Sequence, residues 1–221
     1  MLPTYFLRKI FAPTNISSRL RFILFTSALI LLSVLALTGC TKGQDKISSP
    51  VSIDGVLDLT VWGFNKNGVV NLDGEWEFYW KQLYDSNHFL NGISSVDKNL
   101  IKIPRSWNGY EVDGTPIEGT GYATFRLLIR LPEKNKPKAL ELPSIYTGHK
   151  LWINGDLVSS NGQASTTREG SDPKHFHKVV SLPQNSGTVE LIIQVSNFMH
   201  RRGGIWQPIK FGNSEDILKL R

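Results

Sequence analysis

The stretch Asp73-Gly74-Glu75-Trp76-Glu77-Phe78-Tyr79-Trp80 constrains this chain more than any other. Trp76, Phe78 and Trp80 alternate with Glu75, Glu77 and Tyr79, the two-residue period of a strand that buries one face and shows a polar one. Each large aromatic covers on the order of 150–250 Å². A second layer must therefore lie against this strand. Asp73-Gly74 reads as the tight turn ahead of it, with Gly74 supplying the backbone freedom such a turn needs.

The remainder of the chain supplies that layer. Ile53 to Trp62 reads as an entering edge strand, and Val69 to Leu72 leads into the aromatic strand. Lys81 to Leu90 shows no alternation and reads as a helical turn or an anchored loop built on Leu83, Tyr84 and Phe89. Leu100 to Ile103 is a short strand stopped by Pro104, followed by a glycine-rich loop to Gly121, long enough to suggest a functional segment. Along Tyr122 to Leu131, Ala123, Phe125, Leu127, Ile129 and Leu131 face one way, and Tyr122, Thr124, Arg126, Leu128 and Arg130 the other. Further strands are expected over Lys138–Leu142, His149–Asn154, Asp156–Val158, Phe176–Leu182, Thr188–Ser196 and Ile205–Phe211, with Asn154-Gly155 a hairpin turn and Pro208 marking an edge or bulge. Ser159 to Lys174 is a second long polar loop. Asn213 to Asp216 could cap a short helix through Leu220. Some nine short strands and no long helix predict an all-β antiparallel sandwich with a single core.

Composition matters chiefly for the first forty residues, which stand outside this argument. Arg8, Lys9, Arg19 and Arg21 form a basic leader, and Phe22 to Ala36 is an apolar run without charge, the pattern of a secretion signal. Leu37-Thr38-Gly39-Cys40 resembles the lipobox of bacterial lipoproteins, where lipid is attached to the cysteine before cleavage. Cys40 is the only cysteine, so it makes no internal disulfide. The expected organisation is a signal peptide over 1–39, lipidated Cys40 with a flexible tether over 40–52, and a β-sandwich over 53–221. An uncleaved signal-anchor helix is the other reading, since the run approaches the roughly 17–25 residues of a membrane span. Both place the domain outside the cytoplasm, tethered to a bilayer on the periplasmic side. Thr41 resembles an outer-membrane sorting residue, but the choice of membrane stays open. Residues 1–39 carry +4 of the formal net charge of +6, leaving +2 on the rest, too little to argue for nucleic acid.

The order of four stretches, Asp73–Phe78, Ile103-Pro104-Arg105-Ser106-Trp107, Gly121–Arg126 and Leu151-Trp152-Ile153-Asn154-Gly155, resembles the N-terminal sugar-binding-like jelly roll of glycoside hydrolase family 2. With Ser196-Asn197-Phe198, His200-Arg201 and Gly203-Gly204-Ile205-Trp206 added, it looks still closer to the extracellular sensor domain of bacterial seven-transmembrane receptors with diverse intracellular signalling modules. The likeness covers about residues 54–217. It implies a galactose-binding-domain-like jelly roll that recognises carbohydrate or a related small ligand, and a sensor role with a membrane signalling partner. The hydrolases carry their catalytic carboxylates on a separate barrel and the receptors continue into seven helices; neither segment is in this sequence.

Sugar recognition needs flat rings against C–H faces and charged or amide groups for hydroxyls. The loops offer Trp107, Tyr110 and Tyr122 in one group and Asn197, His200, Arg201 and Trp206 in another, and Arg126 shares the strand face of Tyr122. Trp107, Tyr122, Arg126, Asn197, His200, Arg201 and Trp206 are thus the candidate ligand-binding residues. Each has a bland alternative: Trp107 could plug the end of the sandwich, Arg126 could bridge to a neighbouring strand's carboxylate, and His200-Arg201-Arg202 could be a solvated turn. His149, His175 and His177 do not repeat a zinc spacing and no cysteine accompanies them, so they read as surface histidines; no metal or cofactor is expected, although a structural calcium held by backbone carbonyls would leave no sequence trace. Glu75 and Glu77 share a strand face about 7 Å apart, a separation compatible with glycoside hydrolysis. An exposed strand face would not tune their acidity for that chemistry. No nucleophile motif or phosphate-cradling loop is present. The expectation is a non-catalytic binding domain, with a protein-interaction or structural sandwich, or an accessory to a separate glycosidase, as alternatives.

Overall fold

The computed structural model describes residues 17–19, 23, 26–27, 48–92, 98–132, 136–174, 176–182 and 187–220. The chain forms two compact units, Met1–Lys46 and Ile47–Arg221. In the first, the described residues at 18–19, 23 and 26–27 are helical, and the Thr26 hydroxyl donates to the Ile23 carbonyl at 3.0 Å. Among the described residues no helix is long and apolar enough to cross a membrane. Cys40 and most of the expected signal and tether lie outside the described residues, as does His175.

The second unit is the expected β-sandwich. Its strands are β1 (Val56–Asp58), β2 (Val70–Asn71), β3 (Gly74–Trp80), β4 (Asn99–Ile103), β5 (Glu111–Val112), β6 (Thr115–Pro116), β7 (Gly121–Arg130), β8 (Lys138–Leu142), β9 (Gly148–Ile153), β10 (Asp156–Asn161), β11 (Lys178–Ser181), β12 (Thr188–Asn197) and β13 (Lys210–Asn213). One sheet runs β10-β9-β12-β7-β3-β4, and the other β11-β8-β13-β2; β5 and β6 form a separate hairpin. All of these pairs are antiparallel except that of β1, which runs parallel to β7 over Leu128–Arg130, beyond the part of β7 that β3 occupies. The chain crosses between sheets at β1–β2, β2–β3, β7–β8, β8–β9, β10–β11, β11–β12 and β12–β13, the winding of a jelly roll.

Register makes the core. Leu151, Ile193, Phe125 and Phe78 stand opposite one another across β9, β12, β7 and β3, a continuous apolar row over four strands. Against it lie Leu140, Leu142, Val180, Phe211 and Val70 from the second sheet. Trp76 and Phe78 are fully buried, as their alternation predicts, and at ~25 cal/mol per Å² each contributes several kcal/mol of burial. The Trp76 indole N–H donates to the Leu72 carbonyl at 3.0 Å, satisfying its one polar atom.

Four expectations change. The polar face of β3 is covered at Glu77 and Tyr79, because the segment after β3 folds back with Tyr84 and Phe89 each 5.4 Å from the Tyr79 ring. Within that segment α1 (Phe64–Asn67) has no part, but α2 (Ser86–Leu90) does. Asp85 caps α2, accepting from the Asn87 and His88 amides, while the His88 side chain accepts from the Asp85 amide. The last strand starts after Pro208, at Lys210, and the edge strand near residue 53 shrinks to β1. Finally α3 (Ser214–Leu218) forms without a side-chain cap from Asn213, which instead donates to Asp216 Oδ2 at 3.2 Å.

Candidate binding cleft

The loops at one end of the sandwich bring most of the sequence-predicted site residues together, but not with their rings and amides turned outward. Trp107 is fully buried. It lies nearly parallel to Phe125 (6.2 Å, 11°) and edge-on to Trp80 (5.3 Å), and its indole N–H donates to the Gly119 carbonyl at 3.1 Å. It plugs the sandwich and presents no face to a ligand, which corrects the expectation for this residue. The reason is distant in sequence: a Cβ at Gly203 would fall on the Trp107 ring, so the glycine lets that loop close over the indole.

Asn197 is corrected in the same way. Its buried amide donates to the Gly119 and His200 carbonyls, both at 2.7 Å, and its oxygen accepts from the His200 amide at 3.0 Å. Those bonds lock the loop after β12 to the loop before β7. Above this lock the rings of Tyr146, His200 and Trp206 are nearly parallel, with centroids 4.8 to 6.1 Å apart. Arg201 is exposed, and its carbonyl accepts from Asn108 Nδ2 at 2.9 Å. Tyr122 is half-buried on the outer face of β7.

Arg126 stands on that face but away from the loops. Its Nε donates to Glu190 Oε1 at 2.7 Å and its Nη1 to Glu77 Oε2 at 3.0 Å, with the guanidinium 4.6 Å above the Phe89 ring. Burial opposes its charge, but the two carboxylates outweigh that and hold its pKa above the usual arginine value. The salt-bridge alternative therefore describes Arg126. Glu77 also accepts from the Tyr79 hydroxyl at 2.9 Å and lies 3.6 Å from Lys98, which bonds Asp54 at 3.0 Å. The bond to Asp54, then the Glu77 charge, hold the Lys98 ammonium above its ordinary pKa against desolvation. Asp54, Lys98, Glu77, Arg126 and Glu190 thus alternate in sign, an arrangement that fixes five side chains in register.

This network backs a cleft of about 310 Å³ lined by Tyr79, Trp80, Gln82, Tyr84, Lys98, Asn99, Val112 and Asp113. Its walls come from the end of β3, the loop after it, the start of β4 and the β5–β6 hairpin. Thr124 sets the loop: its hydroxyl accepts from the Tyr84 amide and donates to the Gln82 carbonyl, both at 2.8 Å. The Tyr110 hydroxyl donates to the Leu100 carbonyl at 2.7 Å, and its ring meets Phe78 edge-on at 5.6 Å, pinning the hairpin side. Burial, then the Glu77 charge, push the Tyr79 phenol pKa far up, so it stays a donor. Three rings, an ammonium, two amides and a carboxylate therefore converge on a space at the small end of ligand-pocket size.

Sequence reasoning missed these lining residues. Two signals existed: the unpatterned, aromatic stretch Lys81–Leu90, and Asp113-Gly114, a hairpin turn inside the supposed loop, where Asp113 has φ 52° and Gly114 φ 73°. Neither carboxylate weighed and set aside for hydrolysis is free of partners. Glu77 is committed to Arg126, Lys98 and Tyr79, and Glu75 Oε2 accepts from the Asp54 amide at 3.2 Å. Among the described residues no group of three or more His, Cys, Asp and Glu side chains is placed to hold a metal ion.

No family model matches the chain, and no curated protein matches it. Among solved structures it is similar to a β-glucuronidase of an uncultured Clostridium sp., with TM-score 0.49 and 15% identity, covering 66% of this chain and 29% of that one. Ruminococcus gnavus β-glucuronidase gives 0.47 and 13%, covering 65% and 28%. A family 2 β-galacturonidase from Eisenbergiella tayi gives 0.45 and 14%, covering 66% and 24%. The chain thus spans less than a third of each of these enzymes, and a likeness this distant transfers neither residues nor activity.

Proposed function

We propose that the domain binds a saccharide or similar polyhydroxylated small molecule in the cleft between Trp80, Tyr84 and the β5–β6 hairpin, and that it does so without catalysis. One observation carries this reading: aromatic walls and four different polar side chains, Gln82, Lys98, Asn99 and Asp113, meet in one cleft of about 310 Å³. Rings suit the C–H faces of a sugar, and a mix of donors and acceptors suits its hydroxyls. The engagement of Glu77 and Glu75 with other groups supports binding rather than hydrolysis. The leader and Cys40 support a domain tethered outside the cytoplasm, and the receptor-like motif order supports a sensor that passes occupancy to a membrane partner.

A second reading, a protein-interaction module, has its own support in the Tyr146–His200–Trp206 cluster with exposed Met199 beside it in the chain. The test is a thermal-shift screen of the full-length chain against mono- and oligosaccharides, run in parallel on Gln82→Ala and Asn99→Ala. A saccharide at a hundred times its dissociation constant stabilises the fold by about 2.7 kcal/mol, a rise of roughly 5–10 °C. We expect such a rise in the native chain and a smaller one in both variants. A well-folded chain that responds to no saccharide overturns the sugar reading in favour of the interaction module.

A further inference from the structure

A second cleft, built from different elements, has a different chemistry. It measures about 470 Å³ and is lined by Trp62, Gly63, Phe64, Asn65, Lys66, Pro132, Lys136, Lys138 and Asn213. Trp62 and Phe64 are both largely buried and give it an apolar floor, Phe64 being held edge-on to Phe211 at 5.8 Å. Lys138 lies on β8 with only 4% of its surface exposed, its ammonium 4.5 Å from the Phe64 ring centroid. That ammonium donates to the Lys136 carbonyl at 2.8 Å and to Asn213 Oδ1 at 3.1 Å, both neutral oxygens.

Among the described residues no carboxylate pairs with it. Lys66 and Lys136 are exposed at the mouth, and among the described lining residues there is no carboxylate. Asp216 bonds Asn213 Nδ2 and pairs with Lys219 outside the lining. Burial, then the charge of Lys136, lower the pKa of Lys138, the response of an ammonium drawn out of water beside a like charge. A buried cation lacking an anion is costly, and a cluster of like charges at one mouth raises the cost.

We propose that this cleft binds a small organic anion, its carboxylate or phosphate head between Lys66, Lys136 and Lys138 and its apolar ring against Trp62, Phe64 and Pro132. The site is independent of the saccharide cleft, so either can fail alone. An ammonium is a point charge that accepts either head group, whereas the apolar floor discriminates against bare inorganic ions.

Isothermal titration of the full-length chain tests this with benzoate, phenyl phosphate, inorganic phosphate and neutral benzyl alcohol. We expect benzoate or phenyl phosphate to bind at least about tenfold tighter than inorganic phosphate and than benzyl alcohol, and more weakly as salt is raised. Which of the two aromatic anions binds better reports the head group. Lys138→Met removes the buried charge; because it also breaks the bond to Asn213, the exposed double variant Lys66→Gln/Lys136→Gln is measured beside it. Loss of about tenfold in affinity in the double variant supports the site. Equal binding of benzoate, phenyl phosphate and benzyl alcohol overturns it, as does undiminished anion binding in the double variant.

Discussion

His149 shows how one residue can carry pH dependence into a fold. It faces the core on β9 opposite Val195 and Asn161, only 1% exposed, with Nδ1 unpartnered within the protein. Burial, reinforced by the Lys178 charge and opposed by a bond with the Ile145 backbone, pulls its pKa from 6.5 to about 4. The folded state thus resists a proton that the unfolded chain accepts, so between those values the unfolded state holds more protons and stability rises with pH. The contribution is intact above the unfolded value and is lost as pH falls from 6.5 towards 4, by up to about 3 kcal/mol at 1.36 kcal/mol per pH unit. Urea unfolding at several pH values should show that loss, and His149→Leu should flatten it; identical pH slopes in both proteins would refute the assignment. The sequence reading placed His149 among surface histidines, which its position in the core corrects, because its burial follows from cross-strand register. Trp107 is similar, because what buries it is Gly203, nearly a hundred residues away.

Elements were more legible than their covering. Alternation in β3, β7 and β12 was visible in sequence because each strand repeats one side-chain class every second residue, and those strands form the apolar row through Phe78, Phe125 and Ile193. The segment from Lys81 to Leu90 has no period, so nothing local announced that it lies over Tyr79 and makes a wall of the saccharide cleft. It is fastened by Thr124, a buried hydroxyl bonded to both Gln82 and Tyr84. Thr124→Val keeps the shape and removes both bonds, leaving the Tyr84 amide and the Gln82 carbonyl without that partner. We expect a stability loss of about 1–3 kcal/mol in denaturant titration and weaker saccharide binding through the displaced Tyr84. Unchanged binding together with unchanged stability would show that the loop is held by its ring contacts alone.

At the scale of the whole molecule, the sandwich was readable because strand periods, turn residues and motif order agree on one architecture. The site was not, because it depends on which loops meet. The predicted ligand-binding set marked one end of the fold but mixed a core plug (Trp107), a loop lock (Asn197) and an ion-paired strand residue (Arg126) with surface groups. Tyr79, Glu77 and Arg126 still connect that strand residue to the cleft, so Arg126 positions the back wall. The most direct measurement is backbone amide NMR of the full-length chain titrated with the saccharide that gives the largest thermal shift. Saturable shifts concentrated at Gln82, Tyr84, Lys98, Asn99 and Asp113 are expected; shifts confined to Tyr146, His200 and Trp206, or none at all, would contradict saccharide binding in this cleft.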